Sequence, residues 1–287
     1  MKNLETPMNI GIIGLGLIGG SMAKALKQNT PHTIYGYDLQ ETVIKKAILV
    51  GAIDEPLTEE ILPDCDLLII ALYPQATIDY VHAHCDQIKK GAIVMDCSGV
   101  KAVVCASLEP LAKEKGFLFM GGHPMAGVAH GGFTHSKKAL FNNASMILTP
   151  ATGTQIEVVQ KIKLLCMQIG FTNTQIASPE EHDRVIAFTS QLAHVVSSAY
   201  IKSPSALEHK GFSAGSYKDM TRVATLNEDM WTELFLDNSE FLEEEIDGII
   251  NRLTEYSNAL KSKDAPSLRE LLKEGRERKA LIDGEKF

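Results

Sequence analysis

Hydrophobic positions follow two rhythms along the chain. Up to residue 177, short runs that are β-branched or wholly apolar recur: MNIGIIG (8–14), TIYGYD (33–38), DLLIIAL (66–72), AIVMDCS (92–98), FLFMGG (117–122) and ASMILTP (144–150). Between most of them lie stretches of helical character, such as 17–28, 42–50, 75–90 and 101–115. Strands apolar on both faces, alternating with helices, predict a parallel sheet covered on both sides, a doubly wound α/β domain. The rhythm changes at IASPEEHDRVIAFTSQLAHVV (176–196). Ser178 suits an N-cap, Pro179 the first helical position, and Glu181 completes a capping box. From there on no strand pattern is found. Helix-compatible stretches cover 180–201, about 217–236, 239–262 and 266–280. The pattern divides the chain into an α/β domain, 1–177, and an all-helical domain, 178–287.

Composition adds exclusions. The chain has 287 residues, 45% hydrophobic and 22% charged, enough for a full core in one large domain or two. A net charge of −8 and the lack of any long Lys/Arg block argue against nucleic acid or an anionic membrane as partner. The acidic run EFLEEEID (240–247) reads as a solvated helix face. Five scattered cysteines form no CxxC and no metal-ligand spacing with histidine, which fits a reducing interior. No signal-like N-terminus and no bilayer-length apolar run occur, so a cytoplasmic protein is expected.

The first strand leads into Gly14-x-Gly16-x-x-Gly19, with Leu17 and Ile18 between the last two glycines, and a helix follows. This is the Rossmann setting for a dinucleotide. Gly14 permits the tight turn, Gly16 admits a pyrophosphate to the backbone, and Gly19 lets the helix pack close to the sheet. The helix N-terminus offers N–H groups and a positive dipole end to phosphate. Asp38 ends the second strand, where its carboxylate can accept both ribose hydroxyls and would repel a 2′-phosphate. The cofactor expected is NAD.

Ligands of such sheets bind beyond the carboxyl ends of the strands. Two further polar residues reach that edge: Ser98 in MDCSGVK and His123 in MGGHPMAG. An imidazole is suited to take the proton of a carbinol while hydride leaves the carbon, and a hydroxyl can orient the same oxygen. The structural alternatives are a histidine satisfied in a tight turn and a serine capping the helix at 101–115. In the helical half, His194 shares a face with Ser190 and Ser197/Ser198, although a lone histidine among apolar residues is often core. Arg222, in SAGSYKDMTRVA (213–224), offers a planar fork to a carboxylate; the alternative is a surface arginine.

Taken in order, the glycine loop, DCSGVK, GGHPMAG, QLAHVVSSA and GSYKDMTRVA…DMW resemble the prephenate dehydrogenase family of tyrosine biosynthesis across nearly the whole chain. GGHPMAG and KDMTRVA are the specific parts. The resemblance implies that His123 accepts the proton of the ring hydroxyl and Ser98 assists it. It also implies that His194 contacts the substrate side chain and Arg222 grips the ring carboxylate. The implied reaction is NAD-dependent oxidative decarboxylation of prephenate to 4-hydroxyphenylpyruvate, without a metal. Arogenate is an alternative substrate, and a β-hydroxyacid dehydrogenase shares the two-part architecture but relies on a lysine; Lys218 alone stands in the relevant loop. A non-catalytic dinucleotide sensor would leave Ser98, His123 and Arg222 without a shared purpose. Many family members carry an acidic residue shortly after HPMAG, where this chain reads Val128-Ala129-His130. Apolar stripes in the helical half, with Trp231 in NEDMWTELF, add a homodimer built through that half to the expectation.

Overall fold

The computed structural model describes residues 6–128 and 130–284. An eight-stranded sheet runs β3-β2-β1-β4-β5-β6-β7-β8. Its strands are β1 (Asn9–Ile13), β2 (Thr33–Tyr37), β3 (Glu55–Pro56), β4 (Leu67–Ile70), β5 (Ile93–Asp96), β6 (Leu118–Pro124), β7 (Ser145–Pro150) and β8 (Asn173–Ile176). Helices α1 (Leu17–Asn29), α2 (Glu41–Leu49), α3 (Pro74–His84), α4 (Ala102–Lys115) and α5 (Ile156–Ile169) cover it. The strand pleat divides the core in two. Ile10, Ile12, Leu67 and Ile69 join α1 and α5 on one face, while Ile13, Leu68 and Ile70 join α4 on the other. The doubly wound domain is therefore present.

One part of the expected sheet is corrected. Strand β7 runs antiparallel to β6, pairing Gly122 with Leu148 and His123 with Ile147. A parallel return needs a crossover, usually a helix, but the described residues between these strands hold only a short 3-10 turn, Phe133–His135. Two strands also lie outside the apolar runs: β3, two residues long, and β8, whose NTQI is largely exposed at the sheet edge. Helix α3 ends at His84, short of residue 90.

Beyond the sheet come α6 (Pro179–Ile186), a π-helical stretch Ala187–Leu192, and α7 (Ala193–Ile201). Ser178 caps α6 by accepting the Glu181 N–H at 3.1 Å. The stretch expected at 217–236 is two helices, α8 (Gly215–Thr221) and α9 (Glu228–Leu236). Asn227 breaks the run by capping α9, its side chain accepting the Met230 N–H at 2.9 Å. These helices belong to the same compact unit as the sheet, which ends at Asn238.

A second unit begins at Ser239 and consists of α10 (Ser239–Ser262) and α11 (Ala265–Ile282). Asp264 caps α11 and Tyr256 donates to the Leu271 carbonyl. The acidic run lies here with Glu240, Glu243, Glu244 and Asp247 exposed. Ile250, Leu253, Leu260, Leu272, Leu281 and Ile282 are also exposed. No helix among the described residues is long and apolar enough to cross a membrane.

Candidate active site

The glycine loop has the backbone its sequence requires. Gly14 adopts φ +85°, and a Cβ there would lie 2.5 Å from the Ala71 carbonyl oxygen. A Cβ at Gly19 would meet the Gly14 carbonyl oxygen at 2.0 Å, so strand and helix close on each other only without side chains. Gly16 differs. Nothing lies within 4 Å of the place its Cβ would fill, and as N-cap of α1 it offers no side chain to the first-turn N–H groups near Leu17 and Ile18. This is an open cradle with uncapped donors, the setting a diphosphate needs. Asp38 braces the loop: Oδ2 accepts the Leu15 N–H at 3.0 Å and Oδ1 the Gln40 N–H at 2.9 Å. Each oxygen keeps a lone pair for a further donor. The residues present fit a dinucleotide.

At the carboxyl ends of β5 and β6, a buried ion pair stitches the edge together. Asp96 and Lys101 are both fully buried and bonded to each other. The Asp96 carboxylate also accepts the Ser98 N–H at 2.8 Å and the Gly122 N–H at 3.1 Å, while Lys101 Nζ donates to the Gly122 carbonyl at 2.8 Å. Two neighbouring strands and the start of α4 are thereby held at fixed spacing. Ser98 is not the cap of α4, since Lys101 holds that position. Its Oγ instead lies 3.5 Å from Thr77 Oγ1, at the start of α3.

His123 is partly buried on β6, one residue beyond Gly122. Its Nδ1 lies 2.8 Å from His182 Nε2, and His182 Nδ1 lies 2.6 Å from Asp183 Oδ1. Asp183 in turn accepts the N–H groups of Lys101 at 2.7 Å and Ala102 at 2.8 Å, so a carboxylate from α6 caps the N-terminus of α4. Burial holds the His123 imidazole well below the ordinary histidine range, reinforced by His182 and the Lys101 ammonium. The ring is thus a neutral base at physiological pH.

His194 and Arg222 form a second group. His194 Nδ1 donates to the Ser190 carbonyl at 2.8 Å, and its ring lies 3.9 Å from that of Trp231. Burial lowers its pKa, the Ser190 bond opposes this, and the nearby Arg222 charge lowers it further. Arg222 follows the last residue of α8 and makes no ion pair among the described residues. Trp231 lies on α9, and α9 docks on the sheet edge. Leu234 packs over Gly99, and Glu233 accepts the Gln75 N–H at 2.6 Å at the start of α3. Gln191 donates to the Leu234 carbonyl at 2.8 Å, and Asn238 bonds both Gln191 at 2.7 Å and the Asp183 carbonyl at 2.8 Å. A chain of buried amides therefore connects the α9 side of the site to the His182–Asp183 pair.

Residues 22–173 match the family model for the nucleotide-binding domain of prephenate dehydrogenase, and residues 178–274 match that for its dimerization domain. The chain belongs to the prephenate dehydrogenase family. It is 31% identical to prephenate dehydrogenase of Bacillus subtilis over 90% of this chain and 71% of the relative. A crystal structure of prephenate dehydrogenase from A. aeolicus, in complex with hydroxyphenyl propionate and NAD+, superposes with a TM-score of 0.86 at 29% identity, covering 98% of this chain and 100% of that one. Synechocystis arogenate dehydrogenase superposes with a TM-score of 0.79 at 26% identity over 96% and 100%. The protein is thus an oxidoreductase of the prephenate dehydrogenase family.

Within this family frame, His182 and Asp183 are the residues that sequence reasoning missed. Glu180-Glu181-His182-Asp183 reads as an ordinary polar first helical turn, and only His182 next to a carboxylate hints at more. Both side chains are buried. Ala129, where the chain departs from the family pattern, lies outside the described residues; His130 beside it is exposed, its ring 5.4 Å from that of His135.

Proposed function

We propose that the protein catalyses NAD-dependent oxidative decarboxylation of prephenate to 4-hydroxyphenylpyruvate in tyrosine biosynthesis. The observation that carries this reading is the neutral His123 ring at the sheet edge, beside Ser98 and on the side where the glycine loop and Asp38 fit a dinucleotide. The loop backbone from Gly14 through Leu17, Ile18 and Gly19 holds the diphosphate, and Asp38 accepts the ribose hydroxyls. NAD, when bound, accepts the hydride from the ring carbinol carbon. His123 Nε2 takes the ring hydroxyl proton as the carbonyl character develops, while Ser98 orients the same oxygen. The bond to the ring carboxylate then breaks, CO₂ departs with its electrons left in the ring, and His123 returns the proton to the phenolate oxygen. Arg222 binds the ring carboxylate and His194 the side chain, with residues 178 onward as the substrate and dimerisation half.

One observation favours arogenate as a second reading. His194 Nδ1 faces a carbonyl and must carry its hydrogen, so Nε2 of the neutral ring is an acceptor. An acceptor suits the ammonium of arogenate better than the keto oxygen of prephenate. NADH absorbance with prephenate and arogenate as separate substrates decides between them. Reduction of NAD+ with prephenate is expected; turnover with arogenate alone replaces the first reading by the second, and turnover with neither removes both.

A further inference from the structure

The pair behind His123 is built like a circuit with its polarity fixed at one end. Asp183 Oδ1 receives the Lys101 N–H and faces His182 Nδ1, and Oδ2 receives the Ala102 N–H. A carboxylate bound by two backbone donors at a helix N-terminus is stabilised as the anion and can only accept. His182 Nδ1 therefore carries a hydrogen. A second hydrogen on His182 would place a cation in a side chain with no exposure, in the field of the Lys101 ammonium that already acts on His123. The neutral ring leaves Nε2 bare, so the 2.8 Å contact requires the hydrogen to sit on His123 Nδ1. In neutral His123, Nε2 is then the atom with the lone pair. The other tautomer would place an N–H there, which can donate to the substrate hydroxyl but cannot take its proton.

We propose that Asp183, acting through His182, is the positioning device that holds His123 in the tautomer with a bare Nε2 and shares the charge of the proton it accepts. The inference rests on His123 being the base. When the substrate O–H bond breaks, an N–H bond forms at His123 Nε2. The Nδ1–H proton can then shift toward His182 Nε2, moving positive charge to within reach of the Asp183 carboxylate. No proton leaves the chain: the sequence reverses when the product oxygen takes its proton back, so His123, His182 and Asp183 end as they began. Asp183 also caps α4, so tautomer control and the docking of α6 share one carboxylate.

Asp183→Asn tests the polarity directly. Asparagine keeps an oxygen for the α4 N–H groups but turns an amide N–H toward His182 Nδ1, which must then be bare. His182 Nε2 would carry the hydrogen, His123 Nδ1 would accept it, and His123 Nε2 would be protonated and useless as a base. Expected are a fall in kcat of about 10- to 100-fold, an unchanged KM, and a swap of the ¹⁵N signals of the His123 ring nitrogens, assigned by their loss in His123→Asn. His182→Gln keeps an acceptor oxygen for His123 Nδ1 but cannot share charge; kcat is expected to fall about tenfold with KM retained. Wild-type kcat or an unswapped ring in Asp183→Asn overturns the proposal. If circular dichroism shows that variant unfolded, wild-type kcat in His182→Gln overturns it instead. Full turnover in His123→Asn would sink the assignment of the base itself, whereas an inactive His123→Asn beside two active relay variants would sink the relay alone.

Discussion

His123 on the sheet edge and His194 on α7 both give the hydrogen of Nδ1 to an inward partner, and burial lowers the pKa of both. The partners differ in kind. His194 meets the Ser190 carbonyl, which can accept a hydrogen bond but never a proton. His123 meets His182, a titratable ring backed by a carboxylate. The first arrangement fixes an orientation; the second fixes an orientation and also gives charge somewhere to go. A histidine that only recognises needs no more than the first. One that must change protonation state within each turnover gains from the second.

Removing each ring in turn is the sharpest way to break this comparison. His123→Asn is expected to lower kcat by about 10²–10⁴ with fold and NAD+ binding intact. His194→Asn is expected to act on KM, with kcat nearly preserved. Since burial and two cationic neighbours favour the neutral His123 ring, the wild-type enzyme keeps its base as the pH falls through about 6.5. The acid limb of its kcat/KM profile therefore lies below that value and disappears in His123→Asn. Equal kcat losses in the two variants would erase the distinction between the sites.

Arg222 belongs to the recognition side, and its loss should resemble that of His194. Arg222→Ala is expected to raise KM by roughly 30-fold, from about 2 kcal/mol for an unpaired carboxylate in a dry site. Arg222→Lys should recover part of this, because an ammonium keeps the charge but not the fork. A kcat effect larger than the KM effect would move Arg222 to the catalytic side.

The smallest effect is expected at Asp38, which faces neither histidine. Asp38→Ala should narrow the preference for NAD+ over NADP+ while leaving the His123 pH limb in place. Equal use of both cofactors by the wild-type protein would remove this role from Asp38.

The parts of this site legible in the sequence are those made by local pattern. The glycine loop, Asp38, Ser98 and His123 each sit at the end of an apolar strand run, and the parallel fold turns those ends into one edge. His182 and Asp183 were not legible, because what makes them important is contact with His123, 59 positions away, and with the start of α4, more than 80 positions away. Pattern reading sees only a charged helical turn there. Strand β8 escaped for a related reason: its polar residues serve an exposed edge, so pairing with β7, not burial, makes it a strand. The break between α8 and α9 depends on one asparagine cap inside a stretch that otherwise suits a helix.

Between the two histidine sites the chain is wound as a π-helix over Ala187–Leu192, which holds more residues per turn than an α-helix. In genetic terms this is a surplus codon. Deleting one residue from the stretch restores ordinary winding and turns everything after it by about 100° relative to α6. His182 and Asp183 precede the stretch and keep their register with His123, while His194 follows it and swings away from Trp231. A lineage can therefore alter how it recognises a side chain by gaining or losing three nucleotides, with the proton-handling end of the site left as it was.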